Sequence, residues 1–155
     1  MLLQGVSNVD KSSPEDSHSI DLTDIVQRRD ENMEIRCPYI EHVYPGLKEV
    51  TKRKGRRLIK THLPSHLLPI SALESGSKII YIYRNPKDVI VSYYHFARML
   101  TYANYKGTLD KFARSFMKDR APYSPYFPHI NGYFRLKSKN PTQVLIISYE
   151  DIKAG

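Results

Sequence analysis

KIIYIYRNPKDVIVSYYHFARMLT, residues 78–101, is the stretch whose reading decides the fold. Ile79, Ile80, Tyr81, Ile82 and Tyr83 form a β-rich apolar run without polar alternation, the pattern of a parallel strand covered on both faces. Asn85 is a good helix N-cap, Pro86 falls at the first helical position, and Asp88 lies in the acid-favouring first turn. Ile90, Tyr93, Tyr94 and Ala97 then recur at helical spacing, so one side of the helix is expected to pack on the sheet. A strand running straight into a helix leaves main-chain N–H groups free at the junction, and Arg84 adds a fixed cation beside them. Such a corner suits a phosphate or a sulfate. An arginine that pairs with a carboxylate at an ordinary α/β turn is the competing account of the same residues.

Two further strands flank this unit. Residues 57–63 read as one, ended by Pro64, with Lys60 and His62 on the same side, two rises of about 3.3 Å apart. Residues 144–149, VLIISY, read as the other. Helices are expected over 67–74, capped by Ser65 and closed by Gly76, over 108–118, capped by Thr108 with Leu109, Phe112, Ala113 and Phe116 on one side, and over 129–139. A short helix is expected over 20–32, around Leu22, Ile25 and Val26. Residues 38–46 read as a loop anchored by Tyr39, Ile40, Val43 and Tyr44, and residues 121–128, with three prolines among aromatics, as an ordered loop. Residues 1–6 read as the tail of a helix stopped by Gly5, and residues 7–19 as a flexible polar segment.

Strands separated by helical segments predict an α/β fold, a parallel β-sheet flanked by helices. Ligands of such sheets sit beyond the carboxyl ends of the strands. His62, Arg84 and Tyr149 stand at or just past those ends, which predicts one anionic or nucleotide site.

The chain's 155 residues suffice for one domain, and 24 Lys plus Arg against 16 Asp plus Glu, a net +8, favour an anionic partner. A single cysteine, Cys37, excludes an internal disulfide framework and fits a reducing compartment. No signal peptide and no apolar run long enough to cross a bilayer is evident, so a cytoplasmic location is expected. The densest positive run, residues 48–57, reads either as a nuclear-import or RNA-binding patch or as a solvated turn before a strand. No aromatic residues interleave with its charges to stack bases, which favours the turn. The remaining histidines (18, 42, 66, 95 and 129) form no metal-binding pattern, and neither a nucleophile elbow nor a Gly-rich dinucleotide fingerprint occurs.

YIYRNPKDVIVSYYHF, residues 81–96, resembles the segment of cytosolic sulfotransferases that holds the 3′-phosphate of the sulfuryl donor, 3′-phosphoadenosine-5′-phosphosulfate (PAPS). RLIKTHLP, residues 57–64, and SYEDIK, residues 148–153, extend the resemblance, which spans about residues 40–153. It implies the P-loop-NTPase-like sulfotransferase fold, with Arg84 and Ser92 on the donor phosphate and Tyr149 at its adenosine end. It also implies that His62 takes the proton of an acceptor hydroxyl or amine, and that Lys60 positions the acceptor and offsets negative charge. Lys60, Thr61, His62 and Phe96 would bind a small apolar acceptor, with Tyr39, Tyr123 and Phe127 as further aromatic wall. The residue types suit the chemistry: imidazole accepts a proton near neutral pH, and sulfuryl transfer needs in-line positioning and cations rather than a metal. Ser92 lies six residues past Pro86, about 9 Å along a helix, so it reaches only a phosphate lying alongside; that role comes from the resemblance alone. Neither a nucleic acid nor a membrane is expected as partner.

The sequence departs from the family pattern in two places. No Pro-Lys-Ser-Gly-Thr-Thr-Trp loop of the kind that cradles the 5′-phosphosulfate is present, nor the Arg-Lys-Gly segment and dimer motif that follow in the family. The expectation is therefore a single partial domain over 1–155, truncated at both ends, with weak or no turnover as it stands. A non-catalytic nucleotide- or partner-binding remnant, and a basic RNA-binding protein driven by residues 48–57, are the alternatives. The acceptor and the oligomeric state stay open.

Overall fold

The computed structural model describes residues 3–7 (main chain only), 32–43, 46–53, 55, 57–101 and 103–155. Its centre is a four-stranded sheet of order β2-β1-β3-β4, made of β1 (Leu3–Ser7), β2 (Arg57–Thr61), β3 (Lys78–Tyr83) and β4 (Val144–Ser148). β3 and β4 are parallel, with Tyr83 opposite Ser148, while β1 runs antiparallel to both β2 and β3. The three strands expected from the sequence therefore share one direction, and the sheet is mixed because β1 is inserted between two of them.

β1 corrects the expected helix tail at residues 1–6. Five residues gain one intrahelical bond for the entropy of a whole nucleus, whereas a slot between two strands satisfies main-chain groups on both sides. The expected helix over 20–32 and all but the first residue of the expected flexible segment over 7–19 lie outside the described residues, and Ser7 ends β1.

Around the sheet run α1 (Met33–Arg36), α2 (Gly46–Lys52), α3 (Ile70–Glu74), α4 (Pro86–Met99), α5 (Leu109–Met117), α6 (Tyr126–Lys139) and α7 (Tyr149–Ala154). The single helix expected over 67–74 is instead a 3-10 turn, Ser65–Leu67, followed by α3, because Pro69 disfavours helical geometry in the residue before it. Gly76 closes α3 as expected, in the left-handed region at φ +73°. α6 begins three residues before the expected 129, and Pro128 is accommodated in its first turn, where an amide has no intrahelical acceptor to lose.

Ile79, Tyr81, Tyr133 and Val144 form the main buried cluster, joining β3, β4 and α6. In β3, Ile79 and Tyr81 are buried while Ile80 and Ile82 are half-buried, so one face is sealed and the other only partly covered. A second cluster, Phe116, Ala121 and Tyr126, takes Val89, Ile90 and Tyr93 of α4, and Ile130 touches both clusters. The apolar side of α4 thus packs mainly on α5 and the start of α6 rather than on the sheet. Tyr93 and Tyr94 meet Phe112 with ring centroids 5.2 and 6.0 Å apart. Phe112 and Phe116, on the buried side of α5, bring that helix close enough to claim the stripe.

Candidate active site

Thr61 and Tyr81 both oppose Leu3 across β1, and Tyr83 opposes Ser148, so β2, β3 and β4 end at one edge of the sheet. His62, Arg84 and Tyr149 leave from that edge. Two of them touch: the Arg84 guanidinium lies 4.6 Å over the Tyr149 ring. Asn85 caps α4 by accepting from the Lys87 N–H at 3.0 Å, and its own N–H donates to Glu150 of α7 at 2.9 Å. Arg84 Nε stands 3.9 Å from Asp88 Oδ2, too far for a hydrogen bond, and is buried without a hydrogen-bond partner among the described residues. Both sequence accounts of Arg84 thus have a counterpart: a loose ion pair and an oriented cation at a helix N-terminus. Ser92 is exposed one to two turns along α4, and Phe96, 49 % exposed, follows at i+4 on the same side.

At the tip of β2 a second group assembles around His62. The imidazole contacts two tyrosine rings, stacked on Tyr39 at 5.1 Å and tilted against Tyr123 at 4.6 Å between centroids. Lys60 Nζ sits 4.2 Å over the Tyr39 ring, so Lys60 and His62 face the same aromatic, as strand alternation requires. Tyr39 is held there because Pro38 and Ile40 exchange main-chain hydrogen bonds with Lys60 at 3.0 and 3.2 Å. Glu41 reaches the same corner: its Oε1 accepts the Thr61 hydroxyl at 2.7 Å and the His62 N–H, and stands 3.9 Å from His62 Nδ1. Phe127, expected near this aromatic wall, is instead 64 % exposed beside Tyr126 and lines a separate cleft of about 260 Å³ with Pro86, Ile90 and Phe116. It follows Tyr126 in the first turn of α6, and successive helix residues face different ways.

His62 and Arg84 are tied together by α6. Tyr126 donates to the Arg84 carbonyl, His129 Nε2 meets the His62 carbonyl at 3.0 Å, and the Tyr133 hydroxyl donates to the Leu63 carbonyl at 2.8 Å. A carbonyl only accepts, so His129 carries its proton on Nε2 and takes the Tyr81 hydroxyl on Nδ1, at 3.0 Å. These three residues are spaced three and four apart, one stripe of a helix, and each is an aromatic with a polar tip. The sequence reading covers only part of that stripe, since it puts Tyr126 in the loop 121–128 and starts the helix at 129. A cleft of about 560 Å³ opens between α6 and residues 62–66, with His62, His66, His129 and Arg135 among its lining.

Burial is the main cause that pushes the His62 imidazole down to about 4, with nearby positive charge, Lys60 included, adding to it and Glu41 opposing it. Burial also lowers His129 and the Lys60 ammonium. Both imidazoles are therefore neutral at pH 7. Their folded values lie below the ordinary 6.5, so stability is complete above about pH 6.5 and is lost as the pH falls from there towards 4. Chemical denaturation at pH 7 and pH 5 is expected to show a loss of about 1 kcal/mol from His62, allowing for the solvent that reaches the ring, and His62→Gln should flatten that part of the profile.

The basic run is partly consumed by structure. Arg53 donates to the Ile35 carbonyl and, at 3.3 Å, to the Arg36 carbonyl at the end of α1, and Arg57 donates to the Val50 carbonyl of α2 at 3.3 Å. Cations at helix C-termini are favourable there, which is a structural use for part of the run.

Residues 2–155 match the sulfotransferase domain family. The chain is 39 % identical over 121 residues to sulfotransferase 4A1 of Homo sapiens, covering 78 % of this chain and 42 % of that protein. It is 43 % identical over 122 residues to sulfotransferase 1E1 of Bos taurus, covering 76 % and 41 %. Among solved structures, mouse sulfotransferase SULT7A1 complexed with PAP superposes with a TM-score of 0.64 at 30 % identity, over 86 % of this chain and 47 % of that one. The chain thus spans about two fifths of the length of the curated relatives it matches. With a match running from the second residue to the last, and a solved neighbour of the same kind, the chain belongs to the sulfotransferase family.

Proposed function

We propose that this chain contributes the 3′-phosphate corner and the proton-accepting histidine of a PAPS-dependent sulfotransferase acting on a hydroxyl or amine of a small apolar acceptor. The observation that carries this reading is the shared sheet edge, where one helix stripe on α6 ties the Arg84 and His62 tips together through their carbonyls. The residues present fit the nucleotide. Arg84 Nε is a buried donor without a hydrogen-bond partner among the described residues, and the guanidinium is oriented by Tyr149, whose ring borders the same corner. Arg84 would hold the 3′-phosphate by charge-assisted hydrogen bonds beside the α4 N-terminus, Tyr149 would border the adenosine, and Ser92 would reach a phosphate lying along α4. When bound, the nucleotide supplies the sulfuryl group and carries away the departing phosphate. The chain's own part is positioning and proton handling. Neutral His62 accepts the acceptor's proton, Lys60 keeps a cation beside the reacting oxygen, Thr61 fixes the strand end through Glu41, and Phe96 offers an exposed apolar surface to the acceptor. The relative solved with PAP supports the nucleotide class. Calorimetric titration with PAP tests it: Arg84→Ala should weaken binding by about tenfold or more, the value of a lost hydrogen bond to a charged group. Equal affinity in the variant would overturn the assignment of Arg84.

A further inference from the structure

His62 has two ring nitrogens, and the proposed reaction needs one specific tautomer. If Nδ1 carries the resting proton, Nε2 keeps the lone pair that can accept another. Something must select that tautomer, and it has to lie on the Nδ1 side. Tyr39 stacks on the ring and Tyr123 is tilted against it, and His129 meets His62 at its carbonyl. Lys60 contacts the Tyr39 ring and His42 stacks on it at 4.6 Å; neither is an anion that could offset a positive charge on the His62 ring. The carboxylate that faces Nδ1 is Glu41. Its Oε1 is pinned by the Thr61 hydroxyl at 2.7 Å and by the His62 N–H, and its Oε2 is buried without a hydrogen-bond partner among the described residues. His62 Nδ1 is likewise buried without a hydrogen-bond partner, 3.9 Å away.

The geometry points to Glu41 as the positioning residue of the proposed reaction: it holds His62 by its main chain, selects the Nδ1–H tautomer, and stabilises the imidazolium once Nε2 has taken the acceptor's proton. The inference rests on the reading of His62 as proton acceptor. The balance is simple: the acceptor's O–H or N–H bond breaks, an Nε2–H bond forms, the freed electron pair turns to the sulfuryl sulfur, and the positive charge on the ring is met by the Glu41 carboxylate. At 3.9 Å the neutral ring makes no hydrogen bond to the carboxylate; once the ring is cationic the two attract as charges, which draws them together. Residues 61–62 and Glu41 lie twenty or more positions apart, and the segment 38–40 paired along β2 brings them together.

Long-range proton–nitrogen NMR of the full chain reads the tautomer and the protonated fraction of His62 directly. Wild type should show the Nδ1–H form near neutral pH. Glu41→Gln should lower the protonated fraction at about pH 5 by roughly tenfold, the effect of one lost carboxylate at this range, and Glu41→Asp should restore part of it. An Nε2–H tautomer in wild type, or an unchanged fraction in Glu41→Gln, would overturn the inference. Should Glu41→Gln not fold, wild type still decides: the Glu41 carboxyl carbon should shift as His62 titrates, and that inflection should vanish in His62→Gln. Its absence in wild type overturns the coupling. PAP titration separates this test from the broader reading. Coupling between Glu41 and His62 without Arg84-dependent PAP binding keeps the pair and sinks the nucleotide assignment, and the reverse result does the opposite.

Discussion

His62→Gln is expected to lower sulfuryl transfer by a hundredfold or more while leaving PAP affinity nearly unchanged. General-base removal alone accounts for that magnitude, since a positioned proton acceptor contributes about 10²–10⁴-fold. Glutamine keeps a polar side chain of similar reach against Tyr39 and Tyr123, and the main-chain bonds from His62 N–H to Glu41 and from His129 to the His62 carbonyl do not depend on the imidazole. The nucleotide's proposed contacts lie around Arg84 and Tyr149, at the ends of β3 and β4, separated from His62 by β1 in the sheet and joined to it by the hydrogen bonds of α6. The assay is single-turnover transfer from labelled PAPS to a simple phenol, with PAP calorimetry on the same samples. Loss of both turnover and PAP binding would mean that His62 acts through the fold. PAP binding with no transfer in the wild type itself would favour a nucleotide-binding protein over an enzyme.

The parts of this arrangement that were legible in advance share a property: their signals are local. Asn85, Pro86 and Asp88 punctuate β3 and α4 with three independent preferences in four residues, so that corner could be read without knowing its neighbours. Thr108 marks the start of α5 in the same way, accepting from Lys111 N–H at 3.4 Å. β1 was illegible because five residues carry no period, and their state is set by the strands available on either side. The start of α6 is hidden in the sequence because proline is a loop signal in most settings yet harmless in a first turn. At the site, Lys60 and His62 came from strand alternation and family resemblance together. Glu41 came from neither, because its partners Thr61 and His62 lie across a turn and a helix, where no periodicity reports a pairing. In the sequence His129 is only a histidine outside any metal-binding pattern. Its role depends on one acceptor just past β2, the His62 carbonyl, and one donor on β3, the Tyr81 hydroxyl, that only the packed fold supplies. Ser92 and Phe96 stand exposed on α4, so their proposed roles still draw on resemblance more than on contact.

Tyr133→Ala is expected to be the most damaging single substitution for stability, at about 3–5 kcal/mol, with a fall in melting temperature of about 10 °C or more. Tyr133 is fully buried, its ring lies 4.1 Å from that of Tyr81 at an angle of 9°, and both belong to the cluster that joins β3, β4 and α6. Truncation leaves a hole lined by Tyr81, Ile79 and Val144, three buried residues held by the sheet and therefore slow to collapse into it. It also frees the Leu63 carbonyl that the Tyr133 hydroxyl holds at 2.8 Å, one residue after His62. The two losses separate experimentally. Tyr133→Phe keeps the ring stack and the core volume but drops the hydroxyl, so its cost in urea denaturation should be only about 1 kcal/mol. If the hydroxyl serves the site, Tyr133→Phe should lower the rate of transfer out of proportion to that small cost, because it removes one of the two hydrogen bonds described above by which α6 holds the His62 and Leu63 carbonyls. If Tyr133→Phe instead matched wild type in rate, α6 would be a stabilising element alone, and the positions of His62 and Arg84 would have to be set by the sheet edge without it.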